Sequence, residues 1–229
     1  MFTIEATSAA ARQFPAQFKR AMQWVKDHPF HMTQTKVIAI EGLDGSGKSL
    51  LVSNLSKRLS APVAYALPEE LRQHRQHYDA LGADGQQREM RQFYLLGNIL
   101  AMADIYDGQK QLCIMDRSYA TTLSYFYGNL IRLKGAGALD LPSPPIAWPT
   151  YLKPDVCIFL HCDEEERLKR LRGRDGSETA EEQDLATNDA MRRTVEYCYR
   201  AFDGVQTLDT THLSPEQVVD AAIALIALQ

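Results

Sequence analysis

Residues 36–49 read KVIAIEGLDGSGKS and indicate the fold of the chain most clearly. It opens with an apolar run typical of a buried strand, and residues 42–49 match the pattern G-x-x-x-x-G-K-[ST]. Leucines recur every four residues after it, which predicts a helix with one buried stripe. Glycines between a strand and a helix let backbone N–H groups curl around an anion at the positive end of the helix. We therefore predict a phosphate-binding P-loop.

Two side chains of this loop are expected to contact a bound triphosphate and its metal ion. Lys48 would reach the β- and γ-phosphates, and the hydroxyl of Ser49 would ligate Mg²⁺. The positions expected to bind ATP are Gly42, Asp44, Gly45, Ser46, Gly47, Lys48 and Ser49. A plain glycine-rich turn before a helix is the alternative, but it does not account for Lys-Ser at that offset.

Apolar runs alternate with helical periodicity along the rest of the chain. Five strands are predicted, near Lys36–Glu41, Pro62–Leu67, Leu112–Asp116, Val156–His161 and Val205–Asp209. Strands that alternate with helices form a parallel sheet covered on both faces. The fold class predicted is α/β, a P-loop NTPase-type three-layer sandwich with a five-stranded parallel sheet.

Composition excludes some partners and bounds the compartment. The 229 residues include 25 Lys and Arg against 29 Asp and Glu, a formal charge of −4. This balance disfavours non-specific binding to nucleic acid or to an anionic membrane. No apolar stretch approaches the ~20 residues that cross a bilayer. We expect an intracellular protein, in the cytoplasm or, if its N-terminus is a transit peptide, in mitochondria.

The segment 1–35 precedes the first strand and is predicted to be a helical extension. Apolar residues at helical spacing lie along one side of it, namely Phe14, Phe18, Ala21, Met22 and Val25. Its basic residues resemble those of a transit peptide, whereas Glu5 and Asp27 depart from the acid-poor composition of such peptides. Both interpretations, a transit peptide and an extra helix that caps the domain 36–229, stay open.

Two further clusters carry charge suited to phosphates. The strand LCIMD, residues 112–116, ends in Asp116 and is followed by Arg117, where open α/β sheets place their ligands. Asp116 can hold Mg²⁺ directly or through a water, and Arg117 offers a planar fork to a phosphate. A simple surface ion pair is the alternative.

A basic run follows the fourth strand and predicts a mobile lid near 167–185. It contains Arg170, Arg172 and Arg174 and breaks at glycines. Arginines that close from a lid stabilise the charge spread over a transferring phosphoryl group. The alternative is a solvated helix face that Glu164, Glu165 and Glu166 neutralise.

With these elements together, residues 36–227 resemble the thymidylate kinase-like branch of the nucleoside monophosphate kinases. The resemblance implies that Asp44 contacts the acceptor sugar, that Arg117 binds the acceptor phosphate and that a lid arginine is catalytic. It also implies Mg²⁺ as cofactor, ATP as donor and a homodimer. The segments FYLLGN (93–98) and EERLKRLRGR (165–174) are similar to those of mitochondrial UMP/CMP kinases.

The acceptor side departs from thymidylate kinases in places. The resemblance implies that Phe93 stacks on the base and that Tyr125 lies under the sugar. Where thymidylate kinases carry an Arg one turn after that Phe, this chain has Gly97 and Asn98, so Asn98 becomes the candidate acceptor contact.

The leading hypothesis is transfer of a phosphoryl group from ATP to a pyrimidine (deoxy)nucleoside monophosphate. A deoxynucleoside kinase is the first alternative; its neutral hydroxyl acceptor needs a carboxylate base, which Glu69 or Glu70 could provide. The glutamates also suit the first turn of a helix, where the dipole favours acids. A catalytically silent nucleotide-binding module is the second alternative.

Overall fold

The computed structural model describes residues 4–28, 35–135, 137, 139–174 and 179–228. Residues 1–3 and 29–34 of the extension and residues 175–178 of the expected lid lie outside the described residues.

A five-stranded parallel sheet forms the centre of the molecule. Its strands are β1 (Lys36–Gly42), β2 (Val63–Tyr65), β3 (Leu112–Asp116), β4 (Val156–His161) and β5 (Val205–Asp209). Their spatial order is β2-β3-β1-β4-β5, and each neighbouring pair is parallel. The predicted α/β class and the five-stranded parallel sheet are confirmed. Because β1 lies in the middle with β3 beside it, the P-loop and Asp116 emerge at the same edge of the sheet.

Eleven helices surround the sheet in the described part of the chain. They are α1 (Ala9–Gln13), α2 (Pro15–Asp27), α3 (Lys48–Leu59), α4 (Glu69–Arg72), α5 (Arg75–Ala83), α6 (Gln87–Asp107), α7 (Tyr119–Lys134), α8 (Glu164–Arg172), α9 (Ala180–Thr187), α10 (Asp189–Ala201) and α11 (Pro215–Ala227). Helices α3 and α11 cover one face of the sheet; α6, α7 and α10 lie on the other.

The alternation of side chains along β1 creates two apolar cores. Ile38 and Ile40 face α3 and α11, whereas Val37 and Ala39 face the α7 and α10 side, and all four are fully buried. Burying such a side chain completely stabilises the fold by about 1.5–3 kcal/mol. A strand that is apolar on both sides therefore belongs at the centre of a sandwich.

Strand β2 is shorter than predicted. It lies at the edge of the sheet, where only β3 pairs with it. Beyond Tyr65 the chain turns towards α6, and a Cβ built on Gly97 would come within 2.8 Å of Leu67. This close approach to a glycine ends the strand before Leu67.

The N-terminal segment packs against the outer side of α6. Ala21 of the predicted stripe is buried in α2, as is Trp24, which the prediction did not include, and Phe14 at the junction of α1 and α2 is 7% exposed. The described part of the segment is therefore helical and packed onto the domain, and its assignment as a capping helix stays a prediction. No helix among the described residues has the length and apolar character needed to span a membrane.

Candidate active site

Glycines shape the loop between β1 and α3. Gly42, Gly45 and Gly47 have φ of 147°, 89° and 96°, a region that side-chain-bearing residues rarely adopt. A Cβ at Gly42 would lie 2.8 Å from the carbonyl oxygen of Leu160, and one at Gly45 would lie 2.8 Å from that of Arg167. The loop conformation therefore depends on glycine, and helix α3 starts at Lys48 directly behind it.

Lys48 is buried beneath the loop. Its Nζ donates to the carbonyl oxygen of Leu43 at 2.9 Å and to Asp44 Oδ1 at 3.2 Å. Burial, and next the charge of Arg117, lower the pKa of Lys48, whereas the carboxylate of Asp44 opposes this shift. The ammonium group is held in place by two acceptors that belong to the loop itself.

Arg117 reaches the P-loop from the end of β3. Its Nη2 donates to Asp44 Oδ1 at 2.5 Å, and its backbone N–H donates to Ile40 O at 3.1 Å. Its φ of 65° turns the chain sharply after Asp116. Burial disfavours the charge of Asp44, but Lys48 and Arg117 outweigh burial and hold the pKa of Asp44 below its ordinary value.

A buried carboxylate below this turn was missed as a site residue from the sequence. Glu41, the residue before Gly42, is fully buried and accepts hydrogen bonds from Ser118 Oγ and, at 2.5 Å, from Thr121 Oγ1. Burial raises its pKa, and the two hydroxyls oppose that shift. Ser118 also caps α7, so Glu41 fixes the turn that carries Arg117. A charged residue closing an otherwise apolar strand was the available signal.

A cavity of about 240 Å³ opens beside Arg117. We call it the basic cleft, because four arginines line it: Arg72, Arg75, Arg91 and Arg117. Its other lining residues are Tyr65, Ala66, Leu67, Met90, Tyr94, Asp116, Thr121, Thr122, Tyr125, Asn129 and Glu181. The cleft is thus electropositive, with an aromatic and aliphatic wall.

The predicted acceptor residues divide between the cleft and its surroundings. Arg117 and Tyr125 line the cleft, and the guanidinium carbon of Arg117 lies 5.7 Å from the centroid of the Tyr125 ring. Asp44 joins them through Arg117. The described residues that line the cleft do not include Phe93 or Asn98.

The placement of Phe93 differs from the expectation for it. Its ring is fully buried and stacks on Tyr78 with a centroid separation of 4.0 Å and an interplanar angle of 2°. Tyr94, one residue later on α6, faces the cleft instead. The acceptor role of Phe93 stays a prediction that this placement does not support, since the sequence does not show which of two adjacent aromatics on an amphipathic helix faces the cleft.

Asn98 is buried one layer behind the cleft wall. Its Nδ2 donates to the carbonyl oxygen of Ala66 at 3.2 Å, and its Oδ1 accepts from Thr122 Oγ1 at 2.7 Å. Ala66 and Thr122 both line the cleft. Asn98 therefore ties two walls of the cleft together, and in this structure it acts through them.

A network on the far wall was also missed. Asp79 accepts a hydrogen bond from Tyr94 Oη at 2.5 Å and one from Arg75 Nε at 3.2 Å. Arg75 Nη2 lies 3.7 Å from Glu181 Oε2 across the cleft. Burial raises the pKa of Glu181 to about 6. These residues lie in helices that the sequence marks only as polar and amphipathic, so no motif identified them.

The predicted lid helix lies against the P-loop. Arg167 is 1% exposed and donates to Asp44 O at 2.9 Å and to both carboxylate oxygens of Glu164. The predicted lid arginines have other surroundings: Arg170 donates to Glu166 and to Thr210 O at 2.7 Å, Arg174 pairs with Glu182 at 2.8 Å, and Arg172 is exposed. Their catalytic role stays a prediction.

Arg170 also lines a second cavity, of about 270 Å³, between α8 and the loop after β5. We call it the lid-side pocket; it is lined by Ser46, Gly47, Leu50, Leu51, Glu166, Arg170, Thr210, Leu213, Pro215 and Val218. It borders the P-loop directly at Ser46 and Gly47, whereas the basic cleft is joined to the loop through Arg117, which binds Asp44.

Two predicted oxygen donors suit a hard cation. Ser49 is exposed in the first turn of α3, and Asp116 lines the basic cleft at the end of β3. The carboxylate of Asp116 favours the charged form of Lys48 and so opposes the lowering of its pKa. A hydroxyl and a carboxylate are the donor types that Mg²⁺ takes in phosphate-transferring sites.

The glutamates considered as bases lie elsewhere. Glu69 and Glu70 are exposed in the first turn of α4, as the helix-dipole interpretation expects, and Glu69 pairs with Arg72 at 2.7 Å. Neither belongs to the described lining of the basic cleft.

Comparison with known families assigns residues 40–222 to the family described as thymidylate kinase. The chain belongs to the thymidylate kinase family. This match covers the P-loop, the Asp116-Arg117 turn and the lid helix, and it confirms the resemblance seen in the sequence.

Among curated proteins, this member of the thymidylate kinase family is similar to human mitochondrial UMP-CMP kinase 2. The two are 32% identical over 195 residues, which are 83% of this chain and 42% of the relative. The chain therefore spans about two fifths of the length of that curated relative.

Solved structures share the fold at lower identity. Thymidylate kinase from Candida albicans aligns with a TM-score of 0.58 at 20% identity, covering 85% of this chain and 92% of that one. Deoxyadenosine kinase from M. mycoides with bound dATP aligns with a TM-score of 0.56 at 18% identity, covering 83% and 99%. Two kinds of nucleotide-metabolising kinase therefore share this architecture.

Proposed function

We propose that the protein transfers the γ-phosphoryl group of ATP to a pyrimidine (deoxy)nucleoside monophosphate. The observation that carries the proposal is the contact between Arg117 and Asp44, which joins the P-loop to the basic cleft. Four arginines in that cleft suit a second anion beside the triphosphate. Family membership and the likeness to UMP-CMP kinase 2 support a monophosphate as that anion.

The donor side takes the triphosphate along the P-loop. Backbone N–H groups and the N-terminus of α3 favour its charge. Lys48, held by Leu43 and Asp44, would exchange the Asp44 carboxylate for phosphate oxygens. The lid-side pocket, with leucines on one side and the guanidinium of Arg170 on another, offers room for the donor base.

Ser49 and Asp116 are the residues that would hold Mg²⁺. The ion, when bound, supplies charge neutralisation for the phosphate oxygens. Ser49 would bind the ion from the start of α3, and Asp116 would bind it from the end of β3, directly or through a water.

Catalysis by this chain rests on alignment and charge. A phosphate acceptor is already anionic, so no general base is needed. Lys48 and Arg117, which both donate to Asp44 Oδ1, would stabilise the developing charge. Arg170, Arg172 and Arg174 are proposed to add to this when the lid closes, which requires Arg174 to leave Glu182.

The acceptor base is proposed to lie against Tyr94 rather than Phe93. Tyr94 is anchored through its hydroxyl to Asp79, which leaves its ring as a cleft wall. A cleft of about 240 Å³ suits a single-ring base. Tyr125, beside Arg117, is proposed to lie under the sugar and to favour deoxyribose.

A deoxynucleoside kinase is the second candidate, because the cleft holds a carboxyl group of raised pKa, Glu181. A group of that kind suits a general base. Thymidine and thymidylate, tested side by side with Mg-ATP, separate the two candidates. We expect turnover of thymidylate; turnover of thymidine alone would favour the second candidate.

Homodimer formation and a mitochondrial or cytoplasmic location stay predictions. Sedimentation of the purified protein tests the first of these.

A further inference from the structure

The N-terminal segment and the basic cleft meet through helix α5. His74 and Tyr78 of this region face the N-terminal segment: Tyr78 Oη donates to Gln13 Oε1 at 2.8 Å, and the Phe14 ring lies edge-on to His74 with centroids 4.8 Å apart. Phe14 also lies 6.1 Å from Phe93. The junction of α1 and α2 therefore contacts α5 at its start and in its middle.

The residue that follows each of these two, His74 and Tyr78, either lines the cleft or binds residues that do. Arg75 follows His74 and lines the cleft, and Asp79 follows Tyr78 and binds both Arg75 and Tyr94. A step of one residue turns a helix by roughly 100°. The same two turns of α5 thus present one side to the N-terminal segment and another to the cleft.

The N-terminal segment is also fixed to α6 at the level of the cleft. Glu5 N donates to Gln92 Oε1 at 2.9 Å, and Ala9 N donates to Glu89 Oε2 at 2.7 Å. Met90 and Tyr94 of the same helical turns line the cleft. Both walls that would contact an acceptor base are therefore supported from outside by this segment.

We infer that residues 4–28 form a positioning element for the acceptor. Gln13 and Phe14 hold α5 against α6, so that Arg75 of α5 and Tyr94 of α6 both face the cleft. The inference rests on the proposed acceptor role of that cleft. It assigns the segment a task in the folded protein. Loss of these contacts lets α5 move away from α6, which separates Asp79 from Tyr94 and weakens acceptor binding. The P-loop keeps its form, because Lys48, Arg117 and Arg167 hold it.

The test uses the full chain with Phe14→Ala and, as a milder change, Gln13→Ala. Steady-state kinetics with thymidylate should show the acceptor KM raised about tenfold for Phe14→Ala, equivalent to about 1.4 kcal/mol, with the KM for ATP unchanged. Phe14→Leu should restore most of the acceptor affinity. An equal rise in both KM values, or no rise in either variant, would overturn the inference.

Trp24→Leu serves as the matched control, because Trp24 is equally buried in α2 but packs on Tyr106 and Tyr151 away from α5. It should lower stability without raising the acceptor KM. Amide hydrogen exchange over residues 75–83 gives a readout independent of turnover: exchange should rise in Phe14→Ala and not in Trp24→Leu. If wild-type protein shows no kinase activity, the proposed function fails, and unchanged exchange in Phe14→Ala would still refute the positioning role.

Discussion

Arg117 and Asp44 share a hydrogen bond of 2.5 Å that links the turn after β3 to the P-loop. The same carboxylate oxygen accepts from the buried Lys48, so one acid bridges two cations. Asp44 therefore joins the P-loop to the basic cleft.

Asp44→Asn should weaken this link. The neutral amide leaves Lys48 and Arg117 without their shared counter-charge, so the free energy of unfolding should fall by about 1–3 kcal/mol at pH 7. The depressed pKa of Asp44 means that its contribution is present above its ordinary pKa of 3.8 and is lost as pH falls below it. The stability gap between wild type and variant, measured by urea unfolding, should therefore narrow in acid. A gap independent of pH would contradict this, and the exposed Asp84→Asn is the control.

Lys48→Ala should lower kcat by about 10²–10³-fold, because it removes a cation aimed at the transferring phosphoryl group. The thermal midpoint should change little. Lys57→Ala, an exposed lysine on the same helix, should leave kcat unaltered. Steady-state ADP release measures both, and full turnover by Lys48→Ala would sink the assignment of the donor site.

Tyr94→Ala should mainly raise the acceptor KM, whereas Phe93→Leu should mainly lower the stability of the fold. Loss of the Tyr94 ring should raise the acceptor KM by about tenfold or more, since stacking on a base contributes roughly 1–3 kcal/mol. Phe93→Leu should mainly lower the free energy of unfolding, because that ring is buried against Tyr78. Kinetics and chemical denaturation on both variants decide, and a larger effect of Phe93→Leu on acceptor KM would restore Phe93 as the base contact.

Glu181 should make acceptor binding depend on pH. Burial raises its pKa to about 6, so the carboxyl group loses its proton and becomes negatively charged beside Arg75 as the pH rises through that value. The new charge repels an anionic acceptor and competes for Arg75. The ratio of acceptor KM in wild type to that in Glu181→Gln should therefore rise about three- to tenfold between about pH 5 and 7.

That ratio also removes the titration of the acceptor phosphate itself, which both proteins experience equally. Glu165→Gln, an exposed change on α8, should follow the wild-type profile. A constant ratio for Glu181→Gln across this range would show that the carboxyl group does not act on the acceptor.

The parts of the fold that depend on local sequence were predictable. The apolar runs gave the parallel strands, and the glycine pattern with Lys48 and Ser49 located the loop, because φ and anion binding there depend on residue type alone. The acceptor wall was harder. Whether Phe93 or Tyr94 faces the cleft depends on how α6 is rotated, which the packing of α5 and the N-terminal segment sets.

Long-range partners were also hidden from the sequence. Glu41 of β1 accepts hydrogen bonds from Ser118 and Thr121 at the start of α7. Glu181 of α9 pairs with Arg75 of α5 across the cleft. Such pairs are joined only after the sheet has ordered its strands. A single sequence carries no local periodicity that records them.

The basic cleft is proposed to take a pyrimidine nucleoside monophosphate as phosphoryl acceptor. A coupled ADP-release assay with Mg-ATP over dTMP, dUMP, dCMP, UMP, CMP and AMP tests this proposal most directly. We predict turnover of one or more of the pyrimidine monophosphates well above that of AMP. A clear preference for AMP, or ATP binding with no ADP release from any acceptor, would contradict the account.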